Sequence, residues 1–352
     1  MLEDKRVLIT GGTGSLGKTL VRRLLGEELG SPRKIIVFSR DEAKQHAMRV
    51  EYMNKISATD EVIYQNFREK LEFRIGDVRD FHSVSAALAE ADVVFNAAAL
   101  KQVPTCEYSP YQAVMTNILG PENIVRAIQE HRLPVESVMG VSTDKACKPV
   151  NVMGMTKAIQ ERVFIQANIR CPTTRFACVR YGNVLASRGS VIPLFLDQIR
   201  SGGPVTITTT EMTRFLLSLD DAVDTVFAAL RGAKRGETYI PRVPSAKVTD
   251  IAAALIGNRP IRTVFTGIRP GEKVHEILVS EEECHRTVGR GTYYVISPIL
   301  PELRGEGGYA PTLEREYSSA DNVMCWVDLA DLLRRYELMV EDELAYAGEL
   351  LR

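Results

Sequence analysis

The chain has almost no net charge, with 44 Lys and Arg against 45 Asp and Glu over 352 residues. It therefore offers no electrostatic footprint for nucleic acid or for an acidic membrane surface. No apolar run approaches the ~20 residues needed to cross a bilayer. The N-terminal M-L-E-D-K-R-V-L-I-T enters a strand at once and leaves no room for a signal peptide, so a cytoplasmic location is expected. The six cysteines (Cys106, Cys147, Cys171, Cys178, Cys284, Cys325) form no C-x-x-C pair and no metal-like cluster. Scattered reduced thiols and no metal are expected. Internal repeats and low-complexity tracts are also missing. What remains is an ordinary globular composition, at a length that predicts roughly two domains.

The β-rich run Arg6–Thr10 leads into Gly11-Gly12-Thr13-Gly14-Ser15-Leu16-Gly17, and an amphipathic segment over 18–29 follows. Strand, glycine loop and helix in that order predict a dinucleotide site. Gly11 makes the tight turn, Gly14 lets backbone approach a pyrophosphate, and Gly17 lets helix pack on strand. The helix N-terminus at Ser15 and Leu16 faces the phosphate charge. The next apolar run, 34–38, ends in Ser39-Arg40-Asp41. A Ser-Arg pair there, with Lys44 one turn on, suits a 2′-phosphate and favours NADP over NAD, unless Arg40 is solvated or pairs with Asp41.

Residues 60–70 are polar and read as a surface connection. A third strand, 71–75, runs into Gly76-Asp77-Val78, where Asp77 can accept from an adenine amino group and Val78 can lie against the ring, with Asp80 as a helix N-cap instead. The fourth strand, 92–96, is followed by Ala97 and Ala98, small enough for backbone to lie close to a flat ligand. One helix is predicted over 108–130, with Asn117 tying backbone together inside it. Strands at 135–142 and 175–181 flank a helix over 152–168. Six strands alternating with helices predict an α/β fold with a doubly wound parallel sheet, whose ligand crevice lies at the strands' carboxyl ends. Residues 1–185 form this dinucleotide-binding unit. The remainder, 186–352, reads as a smaller α/β substrate domain with C-terminal helices over 327–352, some of its segments returning to the first sheet.

The stretch 141–157, V-S-T-D-K-A-C-K-P-V-N-V-M-G-M-T-K, falls at the end of the fifth strand. Thr143, Asp144, Lys145 and Lys157 together make a proton-transfer set. Met153 among them has no titratable proton, and Cys147 reads as structural filler. A surface ion pair is the bland alternative for Asp144 and Lys145. His275 reads as a helix-surface histidine.

T-G-x-x-G-x-x-G (10–17) with S-T-D-K (142–145) and a distal Lys157 resembles the extended short-chain dehydrogenase/reductase family. More narrowly, F-S-R-D (38–41), A-A-L-K-Q-V-P (98–104), V-R-Y-G-N-V (179–184), S-R-G-S-V-I-P (187–193), M-T-R-F (212–215) and G-I-R-P-G-E-K (267–273) resemble its inverting UDP-N-acetylglucosamine 4,6-dehydratases of bacterial polysaccharide synthesis.

That resemblance implies a UDP-linked amino sugar as substrate, tightly held NADP and a homo-oligomer. It implies oxidation at sugar C4, removal of the C5 proton by Lys145 and donation by Asp144 to the departing C6 hydroxyl. Hydride return to C6 and reprotonation of C5 on the opposite face then follow. Lys157 fixes the nicotinamide ribose and, in the family, lowers the pKa of a tyrosine one turn earlier. That tyrosine is Met153 here, as in capsule-type members that couple dehydration to C5 epimerisation. Three readings stay open: a branch that works without tyrosine; Lys157, Thr143 or a water relay as the O4 base; or a nucleotide-sugar-binding protein with lost turnover. An epimerase that eliminates no water is the enzymatic alternative. The resemblance also nominates Arg214 and Arg269 for diphosphate or uridine, Asn183 and Glu272 as pocket walls, and Lys101 as a substrate contact.

Overall fold

A computed structural model describes residues 1–54, 61–185, 190–304 and 310–341. A nine-stranded sheet organises them. Its parallel part runs β1 (Arg6–Thr10), β2 (Lys34–Ser39), β3 (Leu71–Ile75), β4 (Val93–Asn96), β5 (Ser137–Thr143) and β6 (Arg175–Tyr181). These strands lie in the order β3-β2-β1-β4-β5-β6, so the chain reverses direction across the sheet between β1 and β4. Residues such as Val7, Ile9, Ile35 and Val37 are wholly buried, as expected of strands covered on both faces.

Helices α1 (Ser15–Leu25), α2 (Glu42–Met53), α3 (Glu61–Lys70), α4 (Phe81–Leu88), α5 (Val103–Tyr108), α6 (Pro110–Val114), α7 (Gly120–His131) and α8 (Val152–Arg170) provide that cover. One apolar core joins α1 to the sheet and a second joins α4, α7 and α8 to its other face.

Several expectations need correcting. The segment expected as a polar connection is helix α3, whose Phe67 is buried against Tyr52 of α2; residue 60 lies outside the described residues. The single helix expected over 108–130 is broken. It changes direction at Ser109-Pro110, passes through a π-helical turn at Met115–Leu119 and resumes as α7, with Pro121 in its first turn. Helix α1 starts at Ser15, directly after Gly14, so its free N–H groups abut the glycine loop.

Past 190 the chain builds α9 (Val191–Arg200), β7 (Val205–Ile207), β8 (Thr213–Phe215), α10 (Leu219–Gly232), β9 (Thr238–Pro241), β10 (Ser245–Lys247), α11 (Val248–Ile256) and β11 (Thr263–Phe265). It ends with β12 (Ile277–Val279), α12 (Glu281–Cys284), β13 (Thr287–Arg290), β14 (Tyr293–Ile296), β15 (Tyr317–Ser318) and α13 (Trp326–Arg335). Strand β9 joins β6 in parallel, and β14 and β13 close the sheet as an antiparallel edge. Helix α10 also packs on the large sheet's core. A third core gathers α9, α11 and α13 around Phe195, Ile251, Leu255 and Leu329. The tail is thus packing material as far as residue 341, but the helix expected over 327–352 ends at Arg335, and residues 342–352 lie outside the described residues.

Candidate active site

The carboxyl ends of β1 and β4 meet with almost no side chain between them. Gly11 has φ +67°, and a Cβ there would lie 2.8 Å from the Ala98 Cα. At Gly17 a Cβ would lie 2.5 Å from the Gly12 Cα, so α1 seats on bare backbone. Gly14 is exposed and Ser15 and Leu16 half-buried, leaving the N–H groups of α1 open toward the same floor. Ala97 and Ala98 are half-buried beside it. Bare backbone, a helix N-terminus and no intervening Cβ fit the pyrophosphate of a dinucleotide.

At the end of β2 the two cations differ. The Lys44 ammonium lies 3.0 Å from Asp41, whose carboxylate also caps α2, whereas Arg40 is 61% exposed and reaches only to 4.0 Å from Asp77. Ser39 is buried and held by Gln45, a residue without a visible sequence signal. Asp77 is gripped by Arg79 at 2.9 and 2.6 Å; burial raises its pKa, but Arg79 outweighs burial and the net effect is downward. Asp80 caps α4, and Val78 is buried against Gly120.

Strand β5 ends at Thr143, and Asp144–Ala146 is a single 3₁₀ turn. The turn is pinned to α8, since a Cβ on Gly154 would lie 2.1 Å from the Lys145 carbonyl oxygen. Asn151 caps α8 and donates 2.8 Å to the Gly271 carbonyl, docking the 267–273 loop beside the turn. Asn117, inside the π turn, bonds the Leu100 backbone twice and Thr156 of α8 at 3.0 Å. It ties the segment after β4 to the helix that carries Lys157, as expected of it.

Asp144 has no exposed surface. Its Oδ1 accepts from the Thr143 hydroxyl at 2.7 Å and from the Lys145 ammonium at 3.1 Å, while Oδ2 is buried without a partner among the described residues. This is no surface ion pair. Lys145 also lies 3.5 Å from Glu276, a residue without an assigned role in the sequence. Burial works against the charge on Lys145, but Asp144 and Glu276 outweigh both burial and the nearby Arg214, and its pKa is raised.

Lys157 is different. The residue is 4% exposed, and its ammonium donates 2.6 Å to the Val141 carbonyl and 2.6 Å to Gln160, with no carboxylate bonded to it among the described residues. Burial brings its pKa down to about 8. Met153, one turn earlier, sits in an apolar cluster with Cys106, Ala113 and Leu100.

Behind the turn is an ion cluster that crosses three elements. Arg180 of β6 bonds Glu161 of α8 at 2.6 Å and Glu283 of α12 at 2.8 Å, and Ser142 donates to Glu161 at 2.5 Å. Glu283 is buried, which alone would raise its pKa, but Arg180 drives it down to about 2. A charged residue inside the apolar run of β6 was the available sequence signal. Cys147 lies against Glu283 with its thiol pKa pushed up to about 12 by burial, consistent with an inert packing role.

The nominated substrate residues are scattered in their surroundings. Arg214 is buried, donates to the carbonyls of Thr213 and Val274 at 2.7 and 3.1 Å, and has its Nε 3.8 Å from Glu276. Asn183 has a buried Oδ1 without a partner among the described residues. Glu272 is half-buried and accepts from Thr208 at 3.4 Å. Arg269 and Lys101 are exposed. His275 is half-buried in the loop before β12 and bonded to Thr213 at 2.8 Å, not on a helix surface. Residues 187–189 of the S-R-G-S-V-I-P motif lie outside the described residues. Among the described residues no group of acidic, His and Cys side chains forms a metal site, and no helix is long and apolar enough to cross a membrane.

Comparison with known proteins places this geometry. The chain is 44% identical over 302 residues to a UDP-glucose 4-epimerase of Rickettsia bellii, covering 84% of each chain. It is 40% identical over 346 residues to an inverting UDP-N-acetylglucosamine 4,6-dehydratase of Campylobacter jejuni, covering 95% of this chain and 97% of the other. The X-ray structure of Pen from Bacillus thuringiensis superposes with a TM-score of 0.84 at 32% identity, over 96% of this chain and 99% of that one. The DesIV dTDP-glucose 4,6-dehydratase of Streptomyces venezuelae shares the fold at a TM-score of 0.63 and 20% identity, over 76% and 86% of the two chains. A model of the polysaccharide biosynthesis protein family matches residues 7–298, and the chain belongs to that family, on an extended short-chain dehydrogenase/reductase fold.

Proposed function

We propose that the protein is a nucleotide-sugar 4,6-dehydratase that inverts C5, acting on UDP-N-acetylglucosamine or a close relative. Its coarser class, a nucleotide-sugar epimerase or dehydratase, is common to the family and the named relatives. The finer reading rests on the Asp144–Lys145 pair, a fully buried carboxylate 3.1 Å from an ammonium with one oxygen unpartnered. Epimerisation at C4 alone has no use for a second acid–base couple beside Lys157. Loss of the C5 proton and the C6 hydroxyl requires one.

A bound nicotinamide dinucleotide supplies a reversible hydride acceptor for sugar C4. The fit of Gly11, Gly14, Gly17 and Ala98 supports the dinucleotide, and exposed Arg40 supports NADP over NAD. The chain's own residues handle the protons. In its resting form the Asp144–Lys145 pair holds one proton, on Nζ. Moving it across 3.1 Å to Oδ1 gives a neutral amine and a neutral acid at unchanged proton count. Exclusion of water by a bound sugar favours that neutral form, because two buried charges cost more than none. Lys145 then takes the C5 proton of the 4-keto sugar. The C5–H electron pair becomes the C5–C6 double bond as the C6–O bond breaks, and Asp144 gives its proton to the leaving oxygen, which departs as water. Reduction at C6 and protonation of C5 by solvent, from the face opposite Lys145, complete an overall loss of one water with inversion.

The O4 proton needs a base, and Met153 cannot be it. Thr143 already donates its hydroxyl proton to Asp144. Lys157, with a pKa near 8, is the group that titrates in the working range and takes the O4 proton, directly or through a water.

Incubation with UDP-N-acetylglucosamine in D2O tests this. A product lighter by one water and carrying deuterium at C5 is expected; unchanged composition without C5 deuterium overturns it. The Rickettsia relatives named 4-epimerases favour a second reading, C4 epimerisation, which predicts a product of the substrate's formula inverted at C4.

A further inference from the structure

Glu276 stands just ahead of β12 and is held from both sides of its peptide. Its N–H donates 2.9 Å to the Ser319 hydroxyl, and its carbonyl accepts from the Ser319 N–H at 2.8 Å. The side chain is 4% exposed. Oε1 lies 3.5 Å from the Lys145 ammonium and 3.8 Å from the Arg214 Nε, while Oε2 is buried without a partner among the described residues. Arg214 comes from β8 and is fixed by two carbonyls. His275, the neighbour of Glu276, turns instead onto Thr213. The charged groups facing Lys145 are therefore Asp144 from its own turn, Glu276 from the β12 side and Arg214 from β8. They alternate in sign, anion, cation, anion, cation, across three segments distant in sequence.

A carboxylate this close to an ion pair, buried and half unpartnered, is costly unless it has a task. We infer that Glu276 is a positioning residue for the proposed dehydration: it holds the Lys145 amine between two carboxylates and sets the pH window in which the Asp144–Lys145 pair carries a single proton. This rests on the reading of Lys145 as the C5 base. The pair carries two protons in acid, one in the reactive form and none in alkali, so activity through it has two limbs. A fixed negative charge 3.5 Å from Nζ favours every protonated form and moves both limbs toward alkali. Burial alone would lower the Lys145 pKa; that it is raised agrees with this role.

The test is the pH profile of C5 deuterium incorporation at saturating UDP-N-acetylglucosamine, in the full chain loaded with dinucleotide. Glu276→Gln keeps the shape and removes the charge. Both limbs are expected to move toward acid by about one pH unit or more, the order for a unit charge at this distance in a medium between protein and water. Glu276→Asp draws the charge back and is expected to move them the same way by less; it serves alone if the glutamine variant does not fold. Limbs that stay in place in a folded variant overturn the inference. So does loss of exchange at every pH in a variant that still binds the nucleotide sugar, since that gives Glu276 a direct part in the reaction. Lys145→Ala separates the two levels. Exchange that survives this substitution removes the reading of Lys145 itself, whereas exchange lost there with unmoved limbs in Glu276→Gln removes only the role of Glu276.

Discussion

Burying Lys157 has a measurable consequence that does not depend on knowing the substrate. The ordinary lysine value is 10.5, and in the fold burial lowers it to about 8. Between these values the unfolded chain binds more protons than the native one, so stability rises with pH across the window. Below pH 8 the ammonium is charged in both states, and keeping it buried costs about 3 kcal/mol, 2.5 pH units at 1.36 kcal/mol each. Evaluated from pH 7 to pH 9.5, the relief is about 2 kcal/mol.

Lys157→Met isolates this. The variant removes the titrating group, along with a bond to Gln160; the Val141 carbonyl keeps its second donor, Gln160 Nε2, at 2.9 Å. The orphaned Gln160 oxygen costs about 1 kcal/mol at any pH. Urea unfolding of both proteins at the two pH values gives a difference of differences in which every other titrating group cancels. The wild type is expected to gain about 2 kcal/mol on the variant between pH 7 and pH 9.5. A gap that stays constant refutes the buried, unpaired ammonium, and with it the choice of Lys157 as the base for O4.

Four further outcomes follow from the same geometry. Lys145→Ala is expected to cut C5 deuterium exchange by about 10²–10⁴, the usual weight of a positioned base; exchange at the wild-type rate, read by mass spectrometry, sinks that role. Arg180→Ala takes the shared cation from buried Glu161 and Glu283, leaving Glu283 the more distant Arg286 at 3.4 Å, and is expected to destabilise by about 3–5 kcal/mol in thermal or urea unfolding. In the wild type, the contribution of Glu283 is present above the ordinary glutamate range and is lost as pH falls toward about 2, so acid unfolding followed by circular dichroism is expected to steepen there. Gly11→Ala forces a side chain into φ +67° and within 2.8 Å of Ala98, and is expected to weaken dinucleotide binding at least about tenfold by calorimetry; unchanged affinity would remove the glycine loop from the site.

How far the sequence could be read depended on how local each signal was. Strands such as β1 and β6 coincide with their apolar runs because a parallel strand covered on both faces announces itself residue by residue. The glycine loop is equally local. Helix α3 was hidden because its buried Phe67 stands among polar neighbours, and one aromatic at helical spacing does not outweigh Arg68, Glu69 and Lys70. The break near Pro110 was written in the sequence, but the apolar pattern on either side read as continuous. Glu276 and the Arg180 cluster are another kind of case. Glu161, Arg180 and Glu283 mean little singly, and only the pairing of β5 with β6 and the return of α12 bring their charges together.

Met153 shows what the surroundings add to a residue identity. Read in sequence, it is the place where a phenol is missing. In the fold its side chain lies with Cys106, Ala113 and Leu100, and the polar groups nearby in the chain turn elsewhere: Thr156 donates to the Met153 carbonyl and accepts from Asn117, while Lys157 bonds Val141 and Gln160. The position is built as core. A phenol that lowers its own pKa needs a cation beside it, and here the lysine that would serve is committed to neutral oxygens and brought to a pKa near 8 by burial alone. Below that value it is still an ammonium, but with Met153 one turn earlier it has no phenol there to tune. Under the proposed function it serves as a base instead, because the burial that lowers its pKa makes it titrate near 8.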